Sequence, residues 1–164
     1  NDGDNYSITF LPASVGTIWQ KELTVSGVTA NDKVYDDTSA ATLNTGSASL
    51  VGVVSGDSVS LNTGSASGSF SNQHVGMGKT VTVSGLSLSG ADSGNYYLTQ
   101  PTTSASITAR PLTVAAVNNS KVYDGTSSSD GLPTLTSGSL AGNDSVTWSQ
   151  AFNSKHVGSR RACC

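Results

Sequence analysis

Few side chains in this sequence could do chemistry, and the most suggestive come as a recurring group. Lys33-Val34-Tyr35-Asp36-Asp37-Thr38 sets an amine, a phenol and a carboxylate close together, and the group returns as Lys121-Val122-Tyr123-Asp124-Gly125-Thr126. A carboxylate beside a phenol could move a proton. Recurrence suits an architectural task better. Val and Tyr give a strand end with an aromatic ring to bury, and Asp-Asp or Asp-Gly supplies the turn, since both Asp and Gly tolerate the left-handed backbone region. Asp37 standing where the second copy has Gly125 leaves the turn type open. His74 and His156 occupy equivalent places before Val-Gly. One His per copy is a poor zinc site, because zinc wants three or four clustered ligands, and no nucleophile-elbow motif accompanies either histidine.

Calcium is the sharper alternative, with Asp2, Asp4, Asp36, Asp37, Asp57 and Asp92 in loop-like contexts. A calcium site collects several closely spaced oxygens, and the sequence has neither an EF-hand loop nor a glycine-aspartate nonapeptide repeat. A Lys-to-Asn isopeptide crosslink needs a buried acid beside the pair, and Glu22 is the only Glu. The triplets beginning at Asn5, Asn118 and Asn143 fit the glycosylation pattern at the rate chance gives in so Ser- and Asn-rich a chain. Cys163 and Cys164 are adjacent, with Cα atoms about 3.8 Å apart, which is short for a disulfide. No catalytic residue, cofactor or metal site is assigned.

The elements that must position these residues are strands. Charged residues make up only 12% of the chain, and its 164 residues include 18 Gly. The apolar residues nevertheless alternate in short runs, Leu23/Val25, Val59/Leu61, Val81/Val83 and Ile107, as half-buried strands do when Ser and Thr face solvent. After Ser26-Gly27 and Ser84-Gly85 the alternation slips by one, which predicts a β-bulge at each. In Asp92-Ser93-Gly94-Asn95-Tyr96 the spacing fits a tyrosine corner of immunoglobulin-like sandwiches, in which the phenol bonds to backbone a few residues upstream.

The two signature tyrosines lie 88 residues apart (123 − 35), and Leu23-Thr24-Val25 returns 89 residues on (112 − 23) as Leu112-Thr113-Val114, the period of one small domain. Four segments follow. Residues 1–20 are read as the last two strands of a preceding repeat, because Asn5-Tyr6 matches Asn95-Tyr96 and Ile18 matches Ile107. Residues 21–109 form one complete repeat and 110–158 the front of the next, joined without a linker at Pro111 and so coupled semi-rigidly. Residues 159–164 depart from the pattern and are read as an aberrant tail. The expected fold is all-β: tandem small β-sandwich (immunoglobulin-like) repeats, one complete and two partial. Opening mid-repeat implies a longer parent chain with any export signal upstream, and the open edges of the partial repeats predict strand addition between chains.

The signature, with Lys33, Val34, Tyr35, Asp36, Lys121, Val122, Tyr123, Asp124 and Gly125 at its centre and Asp92, Gly94 and Tyr96 later in the repeat, resembles the YDG repeat domain of large secreted bacterial surface proteins of the filamentous haemagglutinin type. The resemblance extends to Gly158. It implies a non-catalytic stalk or spacer in an extracellular, cell-surface adhesin, whose partners are neighbouring repeats, with host glycan or protein bound through other regions. A binding module contacting host molecules through its own loops is the alternative, set back by the scatter of Trp19, Tyr97 and Trp148. The net charge of −3 and the lack of a basic cluster remove the footprint of a nucleic-acid binder. No apolar run reaches the roughly 20 residues a membrane-spanning helix needs, so no membrane insertion is expected of this segment.

Overall fold

With charge scarce, the fold rests on period-two apolar residues and on hydrogen bonds made by Ser, Thr, Asn and Asp. The computed structural model describes residues 16–158, Thr9, and the backbone of Ala162–Cys163. Asp2, Asp4, Tyr6 and most of the segment expected to carry two final strands therefore lie outside the described residues. Within the complete unit run β1 (Lys21–Ser26), β2 (Thr29–Ala30), β3 (Lys33–Val34), β4 (Ala40–Ala41), β5 (Leu43–Asn44), β6 (Ser49–Val51), β7 (Ser60–Asn62) and β8 (Ser67–Phe70). These are followed by β9 (Gly76–Ser84), β10 (Ser87–Ser89), a 3-10 turn at Ser93–Asn95, β11 (Tyr96–Leu98) and β12 (Thr102–Thr108). The following unit contributes β13 (Thr113–Ala115), β14 (Thr134–Ser137), β15 (Ala151–Phe152) and β16 (Ala162–Cys163).

The largest sheet has the order β3-β12-β9-β8-β4. Its β3–β12 pair is parallel and the rest antiparallel. A second sheet, β11-β1-β6, divides β1 between two partners: Lys21–Leu23 pair in parallel with β11, and Thr24–Ser26 antiparallel with β6. Alternation puts Val81 and Val83 of β9, and Ala105 and Ile107 of β12, on the buried face, where Phe70 joins them and Tyr35, Ala41 and Leu43 pack against the edge. Leu23, fully buried, anchors β1. The chain is all-β, as its alternation predicts. The described strands divide among six sheets, and most strands are two or three residues long.

At both slips after Ser-Gly the pairing is interrupted: two residues, 27–28 and 85–86, face four on the partner, 45–48 and 63–66. Gly27 and Gly85 have φ of 78° and 79° and end their strands. A Cβ there would sit 2.0 Å from Ser47 O and 2.1 Å from Ser65 O, so the backbones meet at a distance only Gly permits. Those carbonyls belong to two copies of one heptad, Leu43-Asn44-Thr45-Gly46-Ser47-Ala48-Ser49 and Leu61-Asn62-Thr63-Gly64-Ser65-Ala66-Ser67. In each, the Asn side chain accepts the N–H of the Gly two residues on, at 3.1 and 2.9 Å, an Asx turn. Each closing serine then meets the serine before the tight Gly, Ser49 with Ser26 and Ser67 with Ser84, both at 2.9 Å. The register shift of the large sheet lies elsewhere, between Ala105 and Ile107 of β12.

Tyr96 is buried, but it does not make a corner. Its hydroxyl donates to Asp57 Oδ2 at 2.5 Å and accepts the Val54 N–H at 3.1 Å, groups 39 and 42 residues upstream. Asp92 pins the same loop by accepting the Ser58 N–H at 2.8 Å, while Gly94 offers its carbonyl to Gln20 Nε2 at 2.9 Å. The phenol thus ties β11 to the loop between β6 and β7. The hydrogen bond to the Asp57 carboxylate raises the Tyr96 pKa above its ordinary value.

The following unit is simpler. Its β13 pairs with β14, and the buried Gln150 amide imitates a strand by accepting the Val117 N–H at 2.9 Å and donating to the Val117 carbonyl at 3.0 Å. Although 159–164 depart from the repeat in sequence, Ala162–Cys163 form β16 antiparallel to β15, as Val81–Ser84 at the end of β9 pair with β8 in the complete unit. Backbone pairing asks little of side-chain identity, so an unrelated sequence can take an edge.

Tyr96→Phe removes one buried hydroxyl and leaves Asp57 unpartnered, and should lower the melting temperature by about 4–8 °C, the scale of one net hydrogen bond in a domain of this size. Circular dichroism melts of the two proteins measure it, and equal midpoints would show that the tie contributes nothing.

Candidate functional site

The recurring signature folds into the same charged clasp twice. In the complete unit the Lys33 ammonium donates to Asp36 Oδ1 at 2.7 Å, to the Thr38 carbonyl at 2.8 Å and to Thr38 Oγ1 at 3.0 Å. Asp36 Oδ1 in turn accepts the Thr38 N–H at 3.0 Å and the Thr38 hydroxyl at 2.9 Å. In the following unit Lys121 meets Asp124 at 2.8 Å and Thr126 Oγ1 at 2.7 Å, and Asp124 Oδ1 accepts the Thr126 N–H and hydroxyl, both at 2.9 Å. Beneath each ammonium lies a ring, Phe70 at 5.6 Å from Lys33 and Phe152 at 6.0 Å from Lys121, within cation–π range.

The turn between carboxylate and threonine needs a left-handed residue. Asp37 has φ of 63° and Gly125 has φ of 78°, so the copies share one turn despite the substitution. Asp37 offsets its backbone strain with contacts Gly cannot make: its Oδ1 accepts from Gln73 Nε2 at 3.0 Å and from the Tyr35 hydroxyl at 3.2 Å.

The electrostatics argue for structure over chemistry. The hydrogen bond from Lys33, then those from Thr38, hold Asp36 at about 2, and Lys121 and Thr126 do the same for Asp124, also at about 2. The Tyr35 phenol is pushed up to about 12, first by a hydrogen bond to the Asp144 carboxylate, then by burial and by Asp37. Carboxylate and phenol thus hold their charge states across the whole neutral range, so neither is poised to exchange a proton there.

The other candidates disperse. Asp57 is engaged by Tyr96, Asp92 by Ser58 and Asp37 by Gln73, and no three His, Cys, Asp or Glu side chains gather around a cation site among the described residues. Glu22 is exposed and accepts from Thr99 Oγ1 at 2.5 Å, without the burial a crosslink would need. Val34 and Val122 are exposed beside their clasps. Sequence reasoning gave Thr38 and Thr126 no role of their own, placed Asp57 only among calcium candidates, and missed the two phenylalanines beneath the lysines. The available signals were the recurrence of Thr two residues after Asp, and of Asp57-Ser58-Val59 as Asp144-Ser145-Val146.

Both clasp carboxylates are depressed below the ordinary 3.8, so their contribution is complete above about pH 4 and fades as pH falls through about 2. Urea midpoints from pH 6 down to pH 2 should drop over that window, and the drop should shrink in the Asp36→Asn, Asp124→Asn double variant. An unchanged pH profile in that variant would place the acid sensitivity elsewhere.

The YDG domain profile matches residues 19–105 and again 108–163. Neither the curated proteins nor the solved structures contain a match. No described helix is long and apolar enough to cross a membrane. The two matched stretches each contain one clasp, together span nearly all of the described chain, and establish that the chain belongs to the YDG domain family.

Proposed function

We propose that the chain is a non-catalytic stalk or spacer segment of a large secreted or surface-anchored bacterial adhesin of the filamentous haemagglutinin type, built of tandem small β-sandwich units. The carrying observation is the contact between units. Gly142 of the following unit lies against the Asp37 side chain, where a Cβ would come within 2.1 Å of Asp37 Oδ2, and the Asp144 carboxylate of the same loop raises the pKa of the neighbouring Tyr35 phenol. A joint that engages the signature residues of one unit with a loop of the next resists bending, which is what a spacer requires. Only four residues, 109–112, separate β12 from β13, and Pro111 stiffens them. Strand faces of Ser and Thr suit an extracellular rod that gains solubility without large fields of charge.

Two measurements test this reading. If the joint forms, the Tyr35 proton is favoured in the folded state, so the phenol stabilises the contact below its ordinary pKa of 10.0 and the contribution is lost as pH rises toward about 12. Tyrosinate absorbance should show a phenol titrating near that upper value, and Asp144→Asn should bring it down; no change would remove the joint. On a glycan array the 164-residue chain should show no saturable binding. Saturable binding lost on Tyr97→Ala would instead favour a module that contacts host molecules directly.

A further inference from the structure

Among the described residues, the following unit has the clasp of the complete unit without a strand that covers it. In the complete unit β12 runs parallel to β3, with Ile107 opposite Lys33 and Thr108 opposite Val34, and the Tyr35 N–H donates to the Thr108 carbonyl at 2.9 Å. Ile107 and Val81 pack on Phe70, leaving that ring 3% exposed. In the following unit no described strand pairs with Lys121–Val122, Val122 is 90% exposed and Tyr123 60%. An open cleft of about 430 Å³ lies among Lys121, Tyr123, Thr126 and Phe152. The clasp around Lys121 is nevertheless complete, so the edge and the ring that would receive a strand are already in position.

The same chain carries a segment whose sequence matches that cover and which pairs with no described strand. Ile18 stands three residues before Lys21, as Ile107 stands three before Arg110. Ile107 is buried, whereas Ile18 is 99% exposed and its neighbour Trp19 84%. Two adjacent large apolar side chains this open are unusual on a soluble chain, and their exposure shows that the chain's own cleft does not hold them.

We propose that the cleft of the following unit is a strand-acceptor site whose occupant is residues 17–20 of a second copy of this chain. The incoming segment adds in parallel along Lys121–Val122, its carbonyls taking the Tyr123 N–H as Thr108 takes that of Tyr35, and Ile18 covers Phe152 as Ile107 covers Phe70. The contact is heterologous, donor at one end and acceptor at the other, so it propagates head to tail into an open array.

Light scattering across a concentration series, with reductant present so that Cys163 and Cys164 cannot crosslink, tests it. The unmodified chain should gain mass as concentration rises, Ile18→Leu should do the same, and Ile18→Asp should keep monomer mass throughout. Because Ile18 is exposed, that substitution leaves the fold undisturbed. A monomer mass at all concentrations for the unmodified chain, or growth of the Ile18→Asp chain, would overturn the proposal. A mixture gives a second reading. Ile18→Asp retains only its acceptor, and Tyr123→Pro, lacking the receiving N–H, retains only its donor. Together they should form a one-to-one dimer that grows no further, an outcome independent of whether the Tyr123→Pro acceptor unit folds. Failure of the mixture to dimerise would overturn the assignment of donor and acceptor.

Discussion

The structure depends on one ammonium being fully used. A lysine has three N–H donors, and Lys33 places them on Asp36, the Thr38 carbonyl and the Thr38 hydroxyl, with the Phe70 ring beneath. As an isolated ion pair at the surface this would contribute little. Its effect is geometric. The three acceptors lie on both sides of a left-handed turn, so binding them closes the loop after β3 and holds it against the β8 phenylalanine, the residue around which the large sheet assembles.

The late strands are laid over what the clasp arranges. β12 inserts between β3 and β9, and β11 brings Tyr96 across to the β6–β7 loop. The early part of each unit is thus local, made by residues near in sequence, and the late part is non-local. Loop closure sets the order of difficulty: a contact spanning five residues forms at small entropic cost, one spanning about forty at a larger one. The Lys121 clasp is intact although no described strand covers its edge, as this ordering requires.

That division also explains what could be read in advance. The all-β class, the signature turn and its tolerance of Asp or Gly were legible, because alternation and left-handed propensity are properties of a few consecutive residues. The partner of Tyr96 was not, since Asp57 and Val54 are brought to it only by the folded sheets, and nothing in Asp92-Ser93-Gly94-Asn95 marks them. The slips after Gly27 and Gly85 are legible in the sequence, but not what meets them. Their explanation lies in Ser47 and Ser65, each contributed by a twice-occurring heptad that is visible in the sequence but whose contact with the Ser-Gly turns is long-range. The pairing of Ala162–Cys163 with β15 was illegible for the opposite reason: hydrogen bonds between backbones leave no side-chain signature.

The joint links the local and non-local halves of this organisation along an array. Asp144 occupies in its unit the sequence position that Asp57 occupies in the complete one, where the carboxylate receives the Tyr96 phenol. In the following unit that carboxylate lies near enough to the preceding clasp to raise the Tyr35 pKa. The equivalent position is thus placed near a phenol in both units, Tyr96 within the complete unit and Tyr35 across the joint. Stability in such a chain is shared between units and the contacts between them, as in other repeat arrays, and here the contact is the close approach of Gly142 to the Asp37 side chain of the preceding clasp.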